Sequence, residues 1–190
     1  FPPNNIRELV EYAKANPGKL AYGSNGIGGT YHLEMEMLKN ANGLDIAHVP
    51  YKGGTDALLA VVSGTIPIGF APAASAMSQV RSGKVKILAI LDYQRVPDFP
   101  DIPSMGEQFS GYEKMSSGVD LYGPAGLPPA LLKRWHGELQ KAFSLPDVRA
   151  RMKEISFPYD GTGPDEMLAI RTKELSSSAR AIKAAGLKPE

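Results

Sequence analysis

The sequence predicts an α/β fold, a mainly parallel sheet flanked by helices, and three observations carry that expectation. Short apolar runs alternate with amphipathic helical stripes through the first half of the chain, the pattern of βαβ units. At two places, Gly23–Gly29 and Lys52–Gly54, a glycine-rich turn joins an apolar run directly to the next helical stripe. The 190 residues, 43% apolar and 22% charged, suffice for one good core or two small lobes.

Asn4 or Asn5 can cap a first helix, with Glu8 placed for a capping box. Ile6, Leu9, Val10 and Ala13 form its apolar stripe, and Pro17-Gly18 ends it. Lys19–Tyr22 reads as a strand that enters the loop Gly23-Ser24-Asn25-Gly26-Ile27-Gly28-Gly29, and a helix follows from Thr30 to Asn40 until Gly43 breaks it. Ile46–Val49 is the next strand, Thr55–Val62 a helix, Ile66–Phe70 a strand, Ala73–Arg81 a helix, and Val85–Leu91 a buried strand, giving a sheet of four. Pro97, Pro100 and Pro103 mark an extended loop, followed by a short helix and a strand at Val119–Tyr122. The stretch Gly123–Pro129 is the candidate boundary, dividing the chain into 1–122 and 123–190.

Beyond that boundary lie three amphipathic elements. The first carries Leu131, Leu132, Trp135, Leu139 and Phe143, with Trp135 expected in the core. The second carries Val148, Met152 and Ile155. The third opens at Gly163-Pro164-Asp165 and aligns Leu168, Leu175, Ala179 and Ile182. Such stripes need a surface to bury against.

Composition excludes several function classes. Net charge is +1, from 21 basic and 20 acidic residues without a basic block, so the footprint for nucleic acid or anionic lipid is missing. The absence of cysteine removes disulfides, thiolate metal sites and a cysteine nucleophile. The uncharged run Ala57–Val80 is long enough to span a bilayer, but Gly64, Pro67, Gly69 and Pro72 break it into helix, turn and strand.

The two glycine loops hold the chemistry. Glycines let the backbone turn sharply and approach a ligand, and the helix that follows aims its unpaired N–H groups at the same point. The helix dipole there favours an anion by about 0.3–1 kcal/mol. Ser24, Asn25 and Thr30 add side-chain hydrogen-bonding groups, and Tyr51-Lys52-Gly53-Gly54-Thr55 repeats the strand-to-helix design. On neighbouring parallel strands the two loops would open at one carboxyl edge as a paired anion cradle. A dinucleotide fingerprint fits poorly, because its third glycine falls at Tyr31 and Asp45 opens a strand instead of ending one. No Gly-Lys-Ser/Thr follows for a phosphate-binding Walker loop.

Catalytic and metal constellations are not legible. His32, His48 and His136 fall on a helix, a strand and the tail, with no spaced metal pair. His32, early in the loop-proximal helix, either positions a carboxylate or packs the helix. His48 reads as a satisfied core residue, His136 as a surface residue, and Ser24 has no base near it in sequence. No motif calls for a cofactor.

Several segments in order resemble the Bug family, the TctC-like extracytoplasmic solute receptors. They are Ala13–Leu20, Tyr22–Gly26 with His32-Leu33, His48-Val49-Pro50-Tyr51-Lys52-Gly53-Gly54, Ser82–Val85, Leu88–Ile90, Arg95, Pro100–Pro103, Gly111–Glu113, Pro124–Gly126 and Ala184–Gly186. The resemblance implies a periplasmic-binding-protein-like, two-lobed Venus-flytrap receptor in the periplasm, not an enzyme. Such a receptor delivers a small organic acid to the membrane components of a tripartite tricarboxylate transporter. Residues 1–122 would be the second, ligand-binding lobe and 123–190 the helical segment that packs on the first, whose N-terminal part this chain lacks. The implied ligand-binding set is Ser24, Asn25, Gly26, Gly28, Gly29, Thr30, His32, Tyr51, Lys52, Gly53, Gly54 and Ala71.

Three departures bear on the ligand. Ala71 stands where many relatives have Asp, which removes the partner of a ligand ammonium and points to a dicarboxylate or an aromatic acid. Leu91 replaces a frequent Thr and Gly118 a frequent aromatic. Two alternatives remain open: an oligomerising module without ligand, as a homodimer or domain-swapped through the C-terminal helices, and a nucleotide-dependent α/β enzyme.

Overall fold

The computed structural model describes residues 1–97, 99–115, 119–154, 159 and 161–187. Strand β1 (Leu20–Ser24) lies at the centre of a three-stranded parallel sheet, between β2 (Ile46–Pro50) and β3 (Ile68–Gly69). A central parallel strand is covered on both faces, which explains why Leu20, Tyr22, Gly23 and Ser24 are all buried. The register pairs Tyr22 with both His48 and Ile68, and Gly23 with both Val49 and Gly69.

Helix α1 (Ile6–Ala15) starts as expected. Asn5 Oδ1 accepts from the Glu8 N–H at 2.9 Å, and the Glu8 carboxylate accepts in return from the Asn4 N–H at 2.7 Å and the Asn5 side-chain amide at 2.6 Å. Ile6, Leu9 and Ala13 bury its stripe against Leu20, Tyr22, Met35, Leu38 and Ile46. Asn5→Ala is expected to lower stability by about 1 kcal/mol in urea denaturation, the usual loss for an N-cap.

Helix α2 (Thr30–Asn42) ends on Gly43, whose φ of 65° only glycine adopts readily. Helix α3 (Gly54–Val62) sits close on the sheet because the register partners Gly23 and Gly69 lack side chains. A Cβ on Gly23 would lie 2.6 Å from Ile66 Cδ1 and 3.1 Å from Ala57 Cβ, and one on Gly69 would lie 2.8 Å from Val61 Cγ2. Helix α4 (Ala73–Arg81) follows β3, and α5 (Met105–Gln108) is held by a capping box between Ser104 and Glu107.

Three expected strand features are corrected. Residues 85–91 do not form a regular strand; Ile90 makes one isolated bridge to Ser104, donating to Pro103 O at 2.9 Å and accepting from the Met105 N–H at 2.8 Å. Pro103 has no N–H to extend that ladder. Leu88, Ala89 and Leu91 still pack on the core, so the apolar run reported burial and not pairing. Strand β3 is two residues long instead of five, with Pro67 interrupting its start. Residues 119–122 are not a strand, and Val119, Leu121 and Tyr122 are all exposed. The sheet therefore has three strands among the described residues, not four.

The chain divides into two compact units, Phe1–Ser116 with Ser177–Glu190, and Ser117–Ser176. The second holds α6 (Pro129–Ser144), α7 (Pro146–Glu154) and most of α8 (Pro164–Ala184), whose last turns belong to the first. Within the second unit Phe143 stacks on Tyr159 at 4.4 Å, Arg171 donates to Asp120 at 2.8 Å, and half-buried His136 hydrogen-bonds Gly161 O at 3.1 Å. Trp135, expected in the core, is 55% exposed, and Leu168 and Leu175 are exposed as well. In the first unit Ala181 is buried with Leu33 and Met115, and Ile182 packs beside them. Gly118 and Ile155 lie outside the described residues. No helix among the described residues is long and apolar enough to cross a membrane.

Candidate functional site

Because β1, β2 and β3 run parallel, their carboxyl ends open at one edge, and the loops that follow them meet there. Hydrogen bonds beyond the strands close the edge: the Tyr51 N–H donates to Ser24 O at 3.1 Å and the Phe70 N–H to Gly23 O at 3.2 Å. A Cβ on Gly54 would lie 3.0 Å from the Tyr31 ring and 3.1 Å from both Phe70 O and Pro72 Cδ, so the starts of α2, α3 and α4 converge. Tyr31 also stacks on Phe70 at 5.6 Å, nearly parallel, and half-buried Ala71 follows in the same turn.

The helix starts at this edge share a property that sets them apart within the first five helices. Helices α1 and α5, elsewhere, are capped by Asn5 and Ser104. Helices α2, α3 and α4 begin at Gly29, Gly53 and Pro72 with no side-chain cap. Their first-turn amides have no carbonyl four residues earlier within the helix to bond. Three positive dipole ends thus face one edge, an arrangement suited to an anion.

The expected site residues fall into two groups. Asn25 and Lys52 are exposed and Thr30, Tyr51, Gly53 and Gly54 half-buried at the edge, with Gly26 and Gly28 taking φ values of 112° and 73° that suit glycine. Ser24 and His32 instead face inward and hold the loop. Ser24, fully buried, accepts from the Gly26 N–H at 3.2 Å and shares a 2.7 Å hydrogen bond with His48 Nε2. His32 Nδ1 accepts from the Gly28 N–H at 2.9 Å, and the Gly29 N–H donates to Gly26 O at 3.2 Å.

Sequence reading missed His48 and the base beside Ser24. His48 sits in register with Tyr22, and its ring stacks face to face on His32 at 3.9 Å and on Tyr22 at 4.9 Å. Parallel pairing of β1 with β2 supplies the partner that linear spacing hid. The Ser24–His48 pair has the distance of a nucleophile and its base, but the buried hydroxyl serves the loop. Tyr22 OH donates to Glu36 Oε1 at 2.8 Å, and Lys39 pairs with the same oxygen at 2.6 Å. Burial, then the neighbouring His32 ring, pushes His48 down to about 4, and burial also lowers His32. No group of three or more metal-ligating side chains occurs among the described residues.

Comparison with known proteins shows what the chain as a whole is similar to. Residues 1–187 match the family model described as the tripartite tricarboxylate transporter family receptor. A UPF0065 protein of Bordetella pertussis is 35% identical across the whole chain, which spans 59% of that relative's length. The solved periplasmic binding protein BugD aligns over the whole chain and 64% of its own, with 29% identity and a TM-score of 0.75. R. palustris Rpa4515, solved with adipate, aligns over the whole chain and 64% of its own, with a TM-score of 0.77 at 22% identity, a likeness of fold.

Proposed function

The chain belongs to the tripartite tricarboxylate transporter receptor family, a family of receptors and not of catalysts, and on that premise we propose that it captures a small carboxylate at the carboxyl edge of its sheet. The three uncapped helix N-termini at that edge carry this reading. One ligand carboxylate would accept from the first-turn amides of α2 and α3, with Asn25, Thr30, Tyr51 and Lys52 around it. The turns at Gly26 and Gly28 and the bare Gly53 keep the approach open, and Gly29 and Gly54 let Asn25 and Tyr31 pack close. Hydrogen bonds to a charged group contribute about 1.5–3 kcal/mol each, so two or three outweigh the dipole contribution. Ser24 and His32 act from behind the loop.

Ala71 ends the third strand-to-helix turn without a charge. An ammonium there would lack a counter-ion, so the favoured ligand is a dicarboxylate or an aromatic acid and not an amino acid. The adipate held by a protein of the same fold supports the dicarboxylate. In the periplasm the receptor would close a second lobe over its ligand and present it to the membrane components of a tripartite transporter, with 1–122 in one lobe and the helices of 123–176 packing toward the other.

Calorimetry with adipate, benzoate and glutamate tests the ligand class. Binding of adipate or benzoate with glutamate silent is the expected result; binding of glutamate alone would overturn it. The exposed apolar side chains Trp135, Leu168 and Leu175 favour a second reading, self-association through the C-terminal helices. Native mass spectrometry separates the two: a species carrying an acid adduct supports capture, and a ligand-free oligomer supports association.

A further inference from the structure

The glycine loop is tied to the sheet beneath it by two histidine rings. His48, from β2, holds Ser24, whose hydroxyl holds the Gly26 N–H. His32, from α2, accepts the Gly28 N–H at 2.9 Å. The rings lie 3.9 Å apart and 8° from parallel, so Gly26 and Gly28 in the loop are fastened to one stacked pair. We propose that His32 and His48 form a proton-sensitive clip on this loop, which fixes Gly28 and Gly26 while both rings are neutral and releases Gly28 when His32 takes up a proton. The functional consequence rests on the carboxylate reading above: release weakens capture.

The chemistry follows from the donor inventory. An imidazole nitrogen accepts an N–H only while it carries no proton. A 2.9 Å bond from Gly28 to Nδ1 therefore requires neutral His32 with its proton on Nε2. Protonation turns Nδ1 into a donor facing a donor, and the bond is lost. The groups around the pair set the order of events. Tyr22 stacks on both rings from β1, and Glu36 and Lys39 lie on α2. Glu36 Oε1 is 4.0 Å from His32 Nε2, so His32 takes the first proton. That proton then disfavours a second on the parallel His48 ring, in keeping with the lower range of His48. A buried cation would attract the ligand anion; Glu36, 4.0 Å from His32 and already paired with Lys39 at 2.6 Å, screens part of that attraction, so the expected net effect is the loss of loop order.

The loop bond and the ligand are read separately. Nitrogen NMR of the protein near neutral pH is expected to show His32 with its proton on Nε2 and the Gly28 amide protected from exchange. A second spectrum in acid, below the ordinary 6.5 from which burial lowers His32, should show that protection lost as the ring takes up its proton. His32→Asn, which keeps an acceptor without a titrating group, should hold Gly28 at both pH values. Adipate calorimetry on both proteins cancels the ligand's own titration: wild type should lose about tenfold more affinity than His32→Asn across that range. A proton on Nδ1 at neutral pH, Gly28 protection unchanged by acid, or an affinity that rises more in wild type would each overturn the proposal. The Gly28 data decide the clip even if no acid binds, an outcome that would defeat the carboxylate reading alone.

Discussion

Gly54→Ala is expected to weaken adipate binding by about 10–100-fold, equivalent to roughly 1.4–2.8 kcal/mol, in a protein that still folds. The added Cβ would meet the Tyr31 ring at 3.0 Å and both Phe70 O and Pro72 Cδ at 3.1 Å. A side-chain tip can turn aside, but the Phe70 carbonyl belongs to the backbone that leaves β3. Relief therefore parts α3 from the loop after β3, or pushes Tyr31 off Phe70, and the helix N-termini lose their common aim. Overpacking of this kind also costs about 1–3 kcal/mol of stability. The neighbouring Gly53 provides the contrast. Its φ of −169° suits any residue, and a Cβ there meets nothing within 4 Å. Gly53→Ala should leave the melting temperature unchanged, and any loss of adipate binding in it reports ligand in that space. Equal binding by Gly54→Ala and wild type would remove the α3 N-terminus from the site.

Glu34 should dominate the pH dependence of stability. It lies on α2, 3% exposed, and its Oε1 accepts from the Met115 N–H at 2.8 Å and from Tyr112 OH at 3.2 Å. Its other oxygen is buried without a partner. Burial pushes this carboxyl up from 4.5 to about 7, against the lowering by those hydrogen bonds and by Lys114. A folded-state value above the unfolded one means that the folded chain binds the proton more tightly. The resulting stabilisation is complete below about 4.5 and is lost as pH rises through about 7. Glu34→Gln abolishes the titration, so its stability relative to wild type should rise across that window by about 1–3 kcal/mol in urea denaturation. Glu34→Ala strands the Met115 N–H and the Tyr112 hydroxyl, and should cost about 1–3 kcal/mol at any pH. A difference between Glu34→Gln and wild type that stays constant from pH 5 to about 8 would remove Glu34 as the cause. The histidine pair works in the opposite sense: His48 is held low, at about 4, so its contribution is complete above its ordinary 6.5 and fades with acid. The variant-minus-wild-type comparison isolates Glu34 from that trend.

The fold was most legible where local rules and tertiary demands agree. Asn5 with Glu8 started α1, Gly43 ended α2, and Ala73–Arg81 was helical to the residue, because caps and breakers act within one turn of chain. The run at 85–91 misled because apolar character reports burial, and pairing also needs a partner N–H at each step, which Pro103 beside the Ile90 bridge cannot supply. Trp135 misled for a related reason. Its place in a helical stripe says which face it shares, not whether anything covers that face.

Of the candidate site, the two glycine loops and their joint position at one sheet edge were determined by the sequence, since a strand, a glycine turn and a helix in succession permit few other geometries. The inward roles of Ser24 and His32, the part of His48, and the meeting of Tyr31, Phe70 and Gly54 were decided by tertiary structure alone. The hydrogen bonds of Ser24 to Gly26 and of His32 to Gly28 are local, but their burial is set by packing. The meeting of Tyr31, Phe70 and Gly54 comes from three strand-to-helix turns packed together, and the part of His48 from the parallel register of β2 with β1. Strand spacing along the chain carries no record of that register; packing the strands side by side creates it.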